Sequence, residues 1–404
     1  MRISTSSFYE QNVNAMSLQQ QKLFHVQQQL ATQQKFLTAA DDPVGAARAL
    51  GVSQTLAESS QYATSRDRAN ASLTREDTAL SSATTILGTI RTLIVQAGDG
   101  TLSDADRATL ATTIQSNLSQ LVGVANSDDG NGQYLFAGYK SASAPFTSSA
   151  GGAIQYGGDQ GKRIVQVDTA SQMSTSDDGR SVFQSVQGGA GYVTTGAAGN
   201  TGTGVFGAVD ITNAADPNYG KDFQISFSGG NYTVTTKDVP PATVATGAFD
   251  PQAPIAFGGI QLQITGTPAN GDTFDVSTAK NAGTDVFAAI GDLVAALKTP
   301  LTGGGVAAQA KLQNALSTAN VKLSNAYDNV LTIHASVGSR LNELDALNTS
   351  GATSDVNDKS YLSSIQDLDM TSAVSQFAQQ QTALQATQQT FAKLSSISLF
   401  NYLN

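Results

Sequence analysis

Apolar residues recur every seven positions near both ends of this chain. The N-terminal series consists of Tyr9, Met16, Leu23, Leu30 and Leu37, in a stretch without proline or glycine. The C-terminal series consists of Met370, Phe377, Leu384 and Phe391, and glutamine fills much of the surface around both series. Strict sevens over several turns favour a left-handed supercoil of packed helices. We therefore predict that the two end segments pair as a long antiparallel coiled coil.

We call the predicted contact line between the two series the seam. Other large apolar residues of the two end segments lie outside this seam. They are Leu18, Phe24, Val26, Phe36, Val374 and Leu394. Ordering a residue costs about 1 kcal/mol or more, which one apolar residue per seven does not offset. We therefore predict that neighbouring subunits cover the off-seam residues and that the two ends fold on assembly. We predict that the assembly interface consists of the nine residues of the two series together with Leu394. A simple two-helix appendage on a globular protein is the alternative, because heptads also occur in ordinary bundles.

Further series of seven lie inside the two ends. In "ADDPVGAARAL", Asp42 is placed to cap a second helix whose first residue is Pro43, which separates it from the terminal segment. Ser103 is placed to open a third helix. The inner series, predicted to form a bundle, are Leu73, Leu80, Leu87 and Ile94, then Leu316, Leu323, Val330, Val337 and Leu344. We expect the polar stretch "NTSGATSDVND" (348–358) to end the last of these helices before the C-terminal one.

The middle of the chain has a different pattern. It is rich in glycine, and "DFQISFSGGNYTVTT" alternates apolar and polar residues on both sides of a Gly-Gly turn, which predicts a β-hairpin. "GGIQLQITGTPANGDTFDV" predicts another. The fold class is thus mainly α with an inserted β-rich domain. We divide the chain into a terminal coiled coil (1–41 and 355–404), a helical bundle (42–144 and 284–354) and a variable β-rich domain (145–283).

Composition excludes several classes of function. The net charge of −10 argues against nucleic acid as a partner, because phosphate binding needs clustered Lys and Arg. Cysteine is absent, so no disulfide, thiol nucleophile or thiolate metal site is available. No run of eighteen apolar residues occurs, so we expect no membrane insertion. The first thirty residues lack an apolar signal region, so we expect no cleaved signal peptide.

Candidate catalytic and ligand-binding groups are few. "GTGVFG" (202–207) matches a dinucleotide-binding pattern but follows no strand, so we interpret it as a loop. Only His25 and His334 could supply imidazole chemistry, and both read as helix-surface or interface residues. Asp128 and Asp129 miss calcium-loop spacing and fit a turn. We predict no enzyme activity, no cofactor and no metal site.

Five segments carry a resemblance to a known family. They are "MRIST", "ADDPVGAARAL", "NGQYLFAGY", "GDTFDV" and "DLDMTSAVSQFAQQQTALQATQQTFAKLSSISLFNYL". In this order the chain resembles the bacterial flagellin family over about residues 1–145 and 280–404. Filament subunits usually show "RLSSG" and "AKDDAAG" where this chain has "ATQQKFLTAADDPVGAA", and that departure favours the members that join hook and filament.

The resemblance implies a location, a route and a set of partners. It implies a self-assembling structural protein of the flagellum, exported unfolded by the flagellar type III apparatus and located outside the cell as an adapter between hook and filament. The expected partners are further copies in a ring, the preceding hook-associated junction protein, flagellin, and a cytoplasmic chaperone on the C-terminal helix. A filament-forming subunit, or a secreted adhesin or enzyme whose β domain stands on a helical stalk, are the alternatives.

Overall fold

The computed structural model describes residues 5–149 and 151–396. Its helices are α1 (Thr5–Thr32), α2 (Pro43–Ala97), α3 (Asp104–Ala125), α4 (Gly179–Phe183), α5 (Val286–Lys298), α6 (Gly305–Gln366) and α7 (Met370–Ser396). Its strands are β1 (Phe146–Ser148), β2 (Ile154–Tyr156), β3 (Ile164–Asp168), β4 (Ser171–Ser174), β5 (Tyr192–Gly196), β6 (Val205–Ile211), β7 (Phe223–Ser228), β8 (Asn231–Thr236), β9 (Thr243–Ala248), β10 (Ile255–Phe257), β11 (Ile260–Thr265) and β12 (Thr273–Thr278). The predicted fold class, helical ends around an inserted β-rich region, is confirmed.

The chain forms two compact units. The terminal unit comprises residues 1–64 and 346–404, and the central unit comprises residues 65–345. Both α2 and α6 contribute residues to each unit. The three-part division drawn from the sequence, with boundaries near residues 41, 144, 283 and 354, stays a prediction.

The helices of the central unit pack through the inner series of sevens. All nine of those leucine, isoleucine and valine residues are buried, and α3 packs against α5. Two polar contacts join α2 to α6: His334 lies 2.9 Å from Asp77, and the Arg91 guanidinium lies 5.3 Å from the ring centre of Tyr327. The predicted opening of α3 at Ser103 is confirmed by a reciprocal capping box with Asp106.

One stretch of α2 is long and apolar enough by composition to cross a membrane. This stretch is not an unbroken run of eighteen apolar residues, so the sequence observation stands, and the absence of membrane insertion stays a prediction. A third of that stretch is buried inside the protein, and Leu87, Ile90 and Ile94 of α2 belong to the core of the central unit. A core helix of a bundle has this same composition, and we assign α2 to the bundle.

The β region consists of antiparallel sheets. One sheet has the order β5-β12-β7-β8-β9 and a second has the order β10-β11-β6, while β1-β2 and β3-β4 form separate hairpins. The core residues of the two larger sheets include Phe223, Ile225, Ile260, Leu262 and Phe274. The predicted β7–β8 hairpin is confirmed, with Gly229 and Gly230 both at positive φ in its turn. The second expected hairpin is wrong, because β11 and β12 pair in different sheets and the turn between them joins the two sheets.

The glycine motif at residues 202–207 is also more ordered than the loop expected from the sequence. β6 begins at Val205, and Phe206 is buried. Before the strand, the carboxylate of Asp272 accepts hydrogen bonds from the backbone amides of Thr201 (2.8 Å) and Gly202 (3.0 Å). A Cβ at residue 202 would lie 2.3 Å from the amide nitrogen of Ala269, so this glycine permits a close backbone approach.

Two helix ends differ from the sequence prediction. α6 continues through the polar stretch 348–358. There the Thr353 hydroxyl donates a hydrogen bond to the carbonyl of Thr349 at 3.0 Å, one turn earlier in the same helix, so this polar side chain is accommodated without breaking the helix. The break comes instead at residues 367–369, where the Asp369 carboxylate accepts from the amides of Thr371 and Ser372 and caps α7.

α1 ends before the last residue of its predicted series. It stops at Thr32, Gln33 has a φ of 59°, and Gln34 forms an antiparallel bridge with Asp367. Leu37 therefore lies half-buried in the following loop and is not part of the helical seam. The chain leaves the helix here because backbone hydrogen bonds from Lys35 to Gln366 (2.7 Å) and from Leu368 to Gln33 (3.0 Å) replace helical ones.

Candidate assembly interface

The first and last helices of the chain pair with each other in the terminal unit. α1 and α7 run antiparallel, with Tyr9 stacked on Phe391 at 5.1 Å between ring centres. Ten residues further along α1, Gln19 donates a hydrogen bond to Gln380, which lies eleven residues earlier in α7. The bridge between Gln34 and Asp367 continues the same register. The register is thus fixed at three levels along the pair.

This register brings the predicted series of sevens to matching levels. It places Met16 opposite Leu384, Leu23 opposite Phe377 and Leu30 opposite Met370, in line with the observed pair of Tyr9 and Phe391. We call these eight residues the first row. Six of them are half-buried, but Tyr9 and Met370 remain 55% and 43% exposed. The first row is therefore brought together by the pair but only partly covered by it.

A second row, which sequence reasoning missed, completes the seam. It consists of Asn12, Gln19 and Val26 of α1 with Ala373, Gln380 and Thr387 of α7, and each of the six is buried or half-buried. Val26 is only 8% exposed, so the expectation that it faces a neighbouring subunit is wrong. These residues also recur every seven positions. The signal was present in the spacing, but it was hidden because most of the row is polar or small.

Other apolar side chains of the pair point away from the seam. Leu18, Phe24 and Val374 are 53%, 59% and 54% exposed, as expected for residues that the pair itself does not cover. Phe36 is half-buried, and a Cβ at residue 45 would lie 3.3 Å from its ring. The side chain of Leu394 lies outside the described part of the structure.

The terminal unit has little core of its own. Among its described residues, the fully buried apolar side chains are Val26, Ala49 and Ala373. Large apolar residues of this unit that are exposed include Tyr9, Val13, Leu18, Phe24, Val44, Leu50, Val356, Tyr361, Met370 and Val374. This many exposed large apolar side chains beside so little core favours an interaction surface on this unit.

Charge is nearly absent from helices α1 and α7. Within the described bounds, α1 carries Glu10 and Lys22, and α7 carries Lys393, while glutamine, serine and threonine make up most of the remaining polar surface. Amide and hydroxyl groups cost less to bury than ions and can bond to equivalent groups on a neighbour. The α1–α7 pair therefore presents a nearly uncharged, partly apolar surface suited to packing against other protein subunits.

The loop after α1 is stabilised by two adjacent aspartates. The Asp41 carboxylate accepts from the backbone amides of Thr38 and Leu37, each at 2.9 Å, and these bonds lower the pKa of Asp41 to about 2. His25 of α1 lies 3.3 Å from the same carboxylate. The contribution of Asp41 to stability is therefore present above its ordinary pKa and is lost as the pH falls through about 2.

Asp42 caps α2 at the predicted position. Its carboxylate accepts from the amide of Gly45 at 2.9 Å, and α2 begins at Pro43. A Cβ at residue 45 would lie 2.4 Å from Asp42 Oδ2, so the glycine of "DDPVG" lets the cap close. The loop between α1 and α2 is therefore held by hydrogen bonds from its backbone amides to the carboxylates of Asp41 and Asp42.

The candidate catalytic and metal-binding groups do not form a reactive site. His25 and His334 each contact a single aspartate, on helix surfaces. Asp128 and Asp129 accept backbone hydrogen bonds within their own turn, from Gly130 and Asn131. Among the described residues there is no group of three or more His, Cys, Asp or Glu side chains that could hold a metal ion.

Two family models match the chain. The model of the bacterial flagellin N-terminal helical region matches residues 3–141. A model described as the D2-like domain of flagellar hook-associated protein 1 matches residues 196–278, which include β6 to β12. The two matches cover most of the helices before the β region and most of the β region itself.

Full-length relatives and solved structures agree with these matches. Flagellar hook-associated protein 3 of Salmonella typhimurium is 32% identical over 400 residues, which are 99% of this chain and 99% of that protein. The crystal structure of Xanthomonas campestris FlgL is 28% identical and covers 77% of this chain and 99% of its own, with a TM-score of 0.69. The crystal structure of the flagellar junction protein FlgL from Legionella pneumophila is 26% identical and covers 79% and 99%, with a TM-score of 0.67.

Proposed function

This chain belongs to the flagellar hook-associated protein 3 family, and from that membership we propose that its paired terminal helices build the adapter between hook and filament. It is a structural component of the bacterial flagellum, located outside the cell at the hook-filament junction.

One observation carries the proposal: among its described residues, the unit that holds the α1–α7 pair exposes more large apolar side chains than it buries. A helix pair of this kind gains stability when a neighbour covers Tyr9, Phe24 and Val374. The first row and Leu394 form the assembly interface in this proposal, with the off-seam residues of α1 and α7 contacting neighbouring copies. The low charge of both helices keeps the desolvation cost of that contact small.

The specific partners follow from the proposed position. Further copies of the chain form a ring, the preceding hook-associated junction protein lies on the hook side, and flagellin lies on the filament side. A cytoplasmic chaperone holds the C-terminal helix before type III export, because the same apolar stripe needs cover before assembly. We expect no catalytic activity and no cofactor in this role.

Electron microscopy after seeding tests the proposal against the filament-subunit alternative. Purified protein is added to isolated hooks that carry the preceding junction protein, and flagellin is then added. We expect a short cap of fixed length from this chain alone, and long filaments only after flagellin is present. Continuous filaments grown from this chain alone would contradict the adapter function.

A further inference from the structure

A buried acid lies at the centre of the central unit. Glu76 of α2 is only 1% exposed. Its Oε1 accepts a hydrogen bond from the backbone amide of Asp177 at 3.0 Å, but its Oε2 has no hydrogen-bond partner among the described residues. Burying an ionised carboxylate with an unpaired oxygen costs far more free energy than burying the neutral, protonated group. The surroundings of Glu76 therefore favour its neutral form.

Two nearby cations, Arg340 and Lys162, pair with a different carboxylate, that of Asp177. Arg340 of α6 pairs with the carboxylate of Asp177 through Nη2 and donates to the carbonyl of Ser174 through Nη1 at 3.0 Å. Lys162 Nζ lies 3.6 Å from the other oxygen of Asp177. Asp177 thus has two cationic partners, while Glu76 has a backbone amide and the negative charge of Asp177 close by.

The other charged groups near Glu76 make hydrogen bonds elsewhere, although Arg163 Nη2 is buried without a hydrogen-bond partner among the described residues. Arg163, which precedes β3, donates to the side chains of Ser176 (3.4 Å) and Gln133 (3.1 Å). The Asp178 carboxylate caps α4 by accepting from the amide of Ser181 at 2.9 Å. On α2 itself, the neighbouring Asp77 contacts His334 of α6. None of these contacts supplies a direct counter-charge to the Glu76 carboxyl group.

The balance of these effects is consistent with a retained proton. Burial, followed by the negative charge of Asp177, raises the pKa of Glu76 to about 8, against the opposing influence of Arg340 and Arg163. The geometry alone leads in the same direction, because two carboxyl groups share one buried region and the cations contact only one of them.

We propose that Glu76 carries a proton in the folded protein and that this proton makes the attachment of residues 174–178 to α2 and α6 dependent on pH. Glu76 joins α2 to the amide of Asp177, and Arg340 joins α6 to the side chain of Asp177. Loss of the proton places a second negative charge beside Asp177 and weakens this three-way attachment.

The direction of the pH effect follows from linkage. An unfolded glutamate loses its proton near its ordinary pKa of 4.5, whereas folded Glu76 keeps the proton up to about pH 8. The stabilisation is therefore complete below pH 4.5 and is lost as the pH rises to about 8. The equilibrium constant for unfolding should rise by close to tenfold per pH unit through this window on account of Glu76.

A direct test uses the small number of glutamates. The chain contains only Glu10, Glu58, Glu76 and Glu343, so labelling glutamate with carbon-13 at the side-chain carboxyl gives four NMR signals from the full-length protein. The signal that is absent from Glu76→Gln identifies Glu76. We expect this signal to titrate with a midpoint near pH 8, far above the ordinary range of a glutamate. A midpoint below pH 6 would overturn the proposal.

A second measurement tests the consequence for stability. Urea unfolding of the wild type, Glu76→Gln and the exposed α2 control Asp67→Asn is followed from pH 5 to pH 8. We expect Glu76→Gln, whose amide keeps the acceptor for Asp177, to lose the near-tenfold rise per pH unit that the wild type and Asp67→Asn share. The same slope in all three proteins would show that Glu76 carries no proton in the folded state.

Discussion

At the scale of single residues, the polar contact between Gln19 and Gln380 sets the register of the terminal helices. Their side chains meet inside the seam between the first row, which is apolar, and its opposite edge, the mostly polar or small second row. A buried polar pair in a coiled coil specifies register at some cost in stability. Leucine at either position alone leaves the other amide without its partner, which costs about 1 kcal/mol, whereas leucine at both removes that cost.

We therefore predict that Gln19→Leu and Gln380→Leu each weaken the helix pair and that the double variant does not. Thermal unfolding of the assembled protein measures the stability of all four forms in a double-mutant cycle. Cysteines placed at Met16 and Leu384, which the register puts at one level, report alignment by disulfide formation. Additive losses in the double variant would contradict the observed contact.

The helix cap at Asp42 gives a second prediction at this scale. Asp42→Ala removes the acceptor for the amide of Gly45 and should destabilise the terminal unit by about 1 kcal/mol, whereas Asp42→Asn should cost less because it keeps an acceptor. Chemical unfolding of the assembled protein measures both changes. An alanine variant as stable as the wild type would show that the cap makes no net contribution.

At the scale of elements, the length of α6 separates the structure from the sequence prediction. Gly305–Gln366 forms one helix through the stretch 348–358, which was expected to be a loop. Thr353→Pro would remove a helical hydrogen bond there and should cost about 3 kcal/mol or more, with Thr353→Ala as the matched control. Circular dichroism and unfolding measure the loss. A proline variant with unchanged helicity would place a loop at this position.

The seam of α7 gives the next prediction. Phe377→Asp with Leu384→Asp puts two carboxylates into the first row, where each costs several kcal/mol if buried in the assembly. The control pair Gln379→Asp and Ala386→Asp lies at exposed positions of the same helix, with the same spacing. Light scattering or pull-down with the assembled partners should detect loss of assembly only in the seam variant. Equal effects of both pairs would contradict a specific role of the seam.

The helices of the central unit were predictable from the sequence, because their regularly spaced apolar residues are buried within that unit. Leu73 and Leu323 are fully buried, as their spacing indicates. The end of α1 was not predictable, because Gln34 bridges to Asp367, far away in the sequence. The second row was also missed, since Gln19 and Gln380 carry no apolar signal. Contacts between distant segments therefore decide the details that periodicity leaves open.

At the scale of the whole molecule, residues 185–283 form an insertion with adjacent ends. The Thr284 hydroxyl donates to the carbonyl of Gln184 at 2.5 Å, and the Gln184 side chain donates to Asp285 at 2.7 Å. The residues just before the insertion belong to the helical core, because Phe146 and Phe183 stack on Phe287 of α5 at 4.9 and 5.7 Å. We propose that the dispensable β-rich module begins after Gln184 and not at residue 145.

Two deletions test this boundary. Removal of residues 185–283, with a short glycine linker, should leave the helical circular dichroism of the remaining chain largely intact. Removal of 145–283 also takes Phe146 and Phe183 away from Phe287, and should lower the melting temperature of the helices markedly. Equal melting temperatures for the two deletions would contradict the role of this aromatic cluster.

The adapter function itself is tested most directly by deleting the gene and examining the cells by electron microscopy. We expect hooks without filaments and flagellin monomers in the medium. We also expect that the wild-type gene restores filaments, whereas the variant with Phe377→Asp and Leu384→Asp does not. Cells that keep full-length filaments after the deletion would contradict the central claim that this chain joins hook and filament.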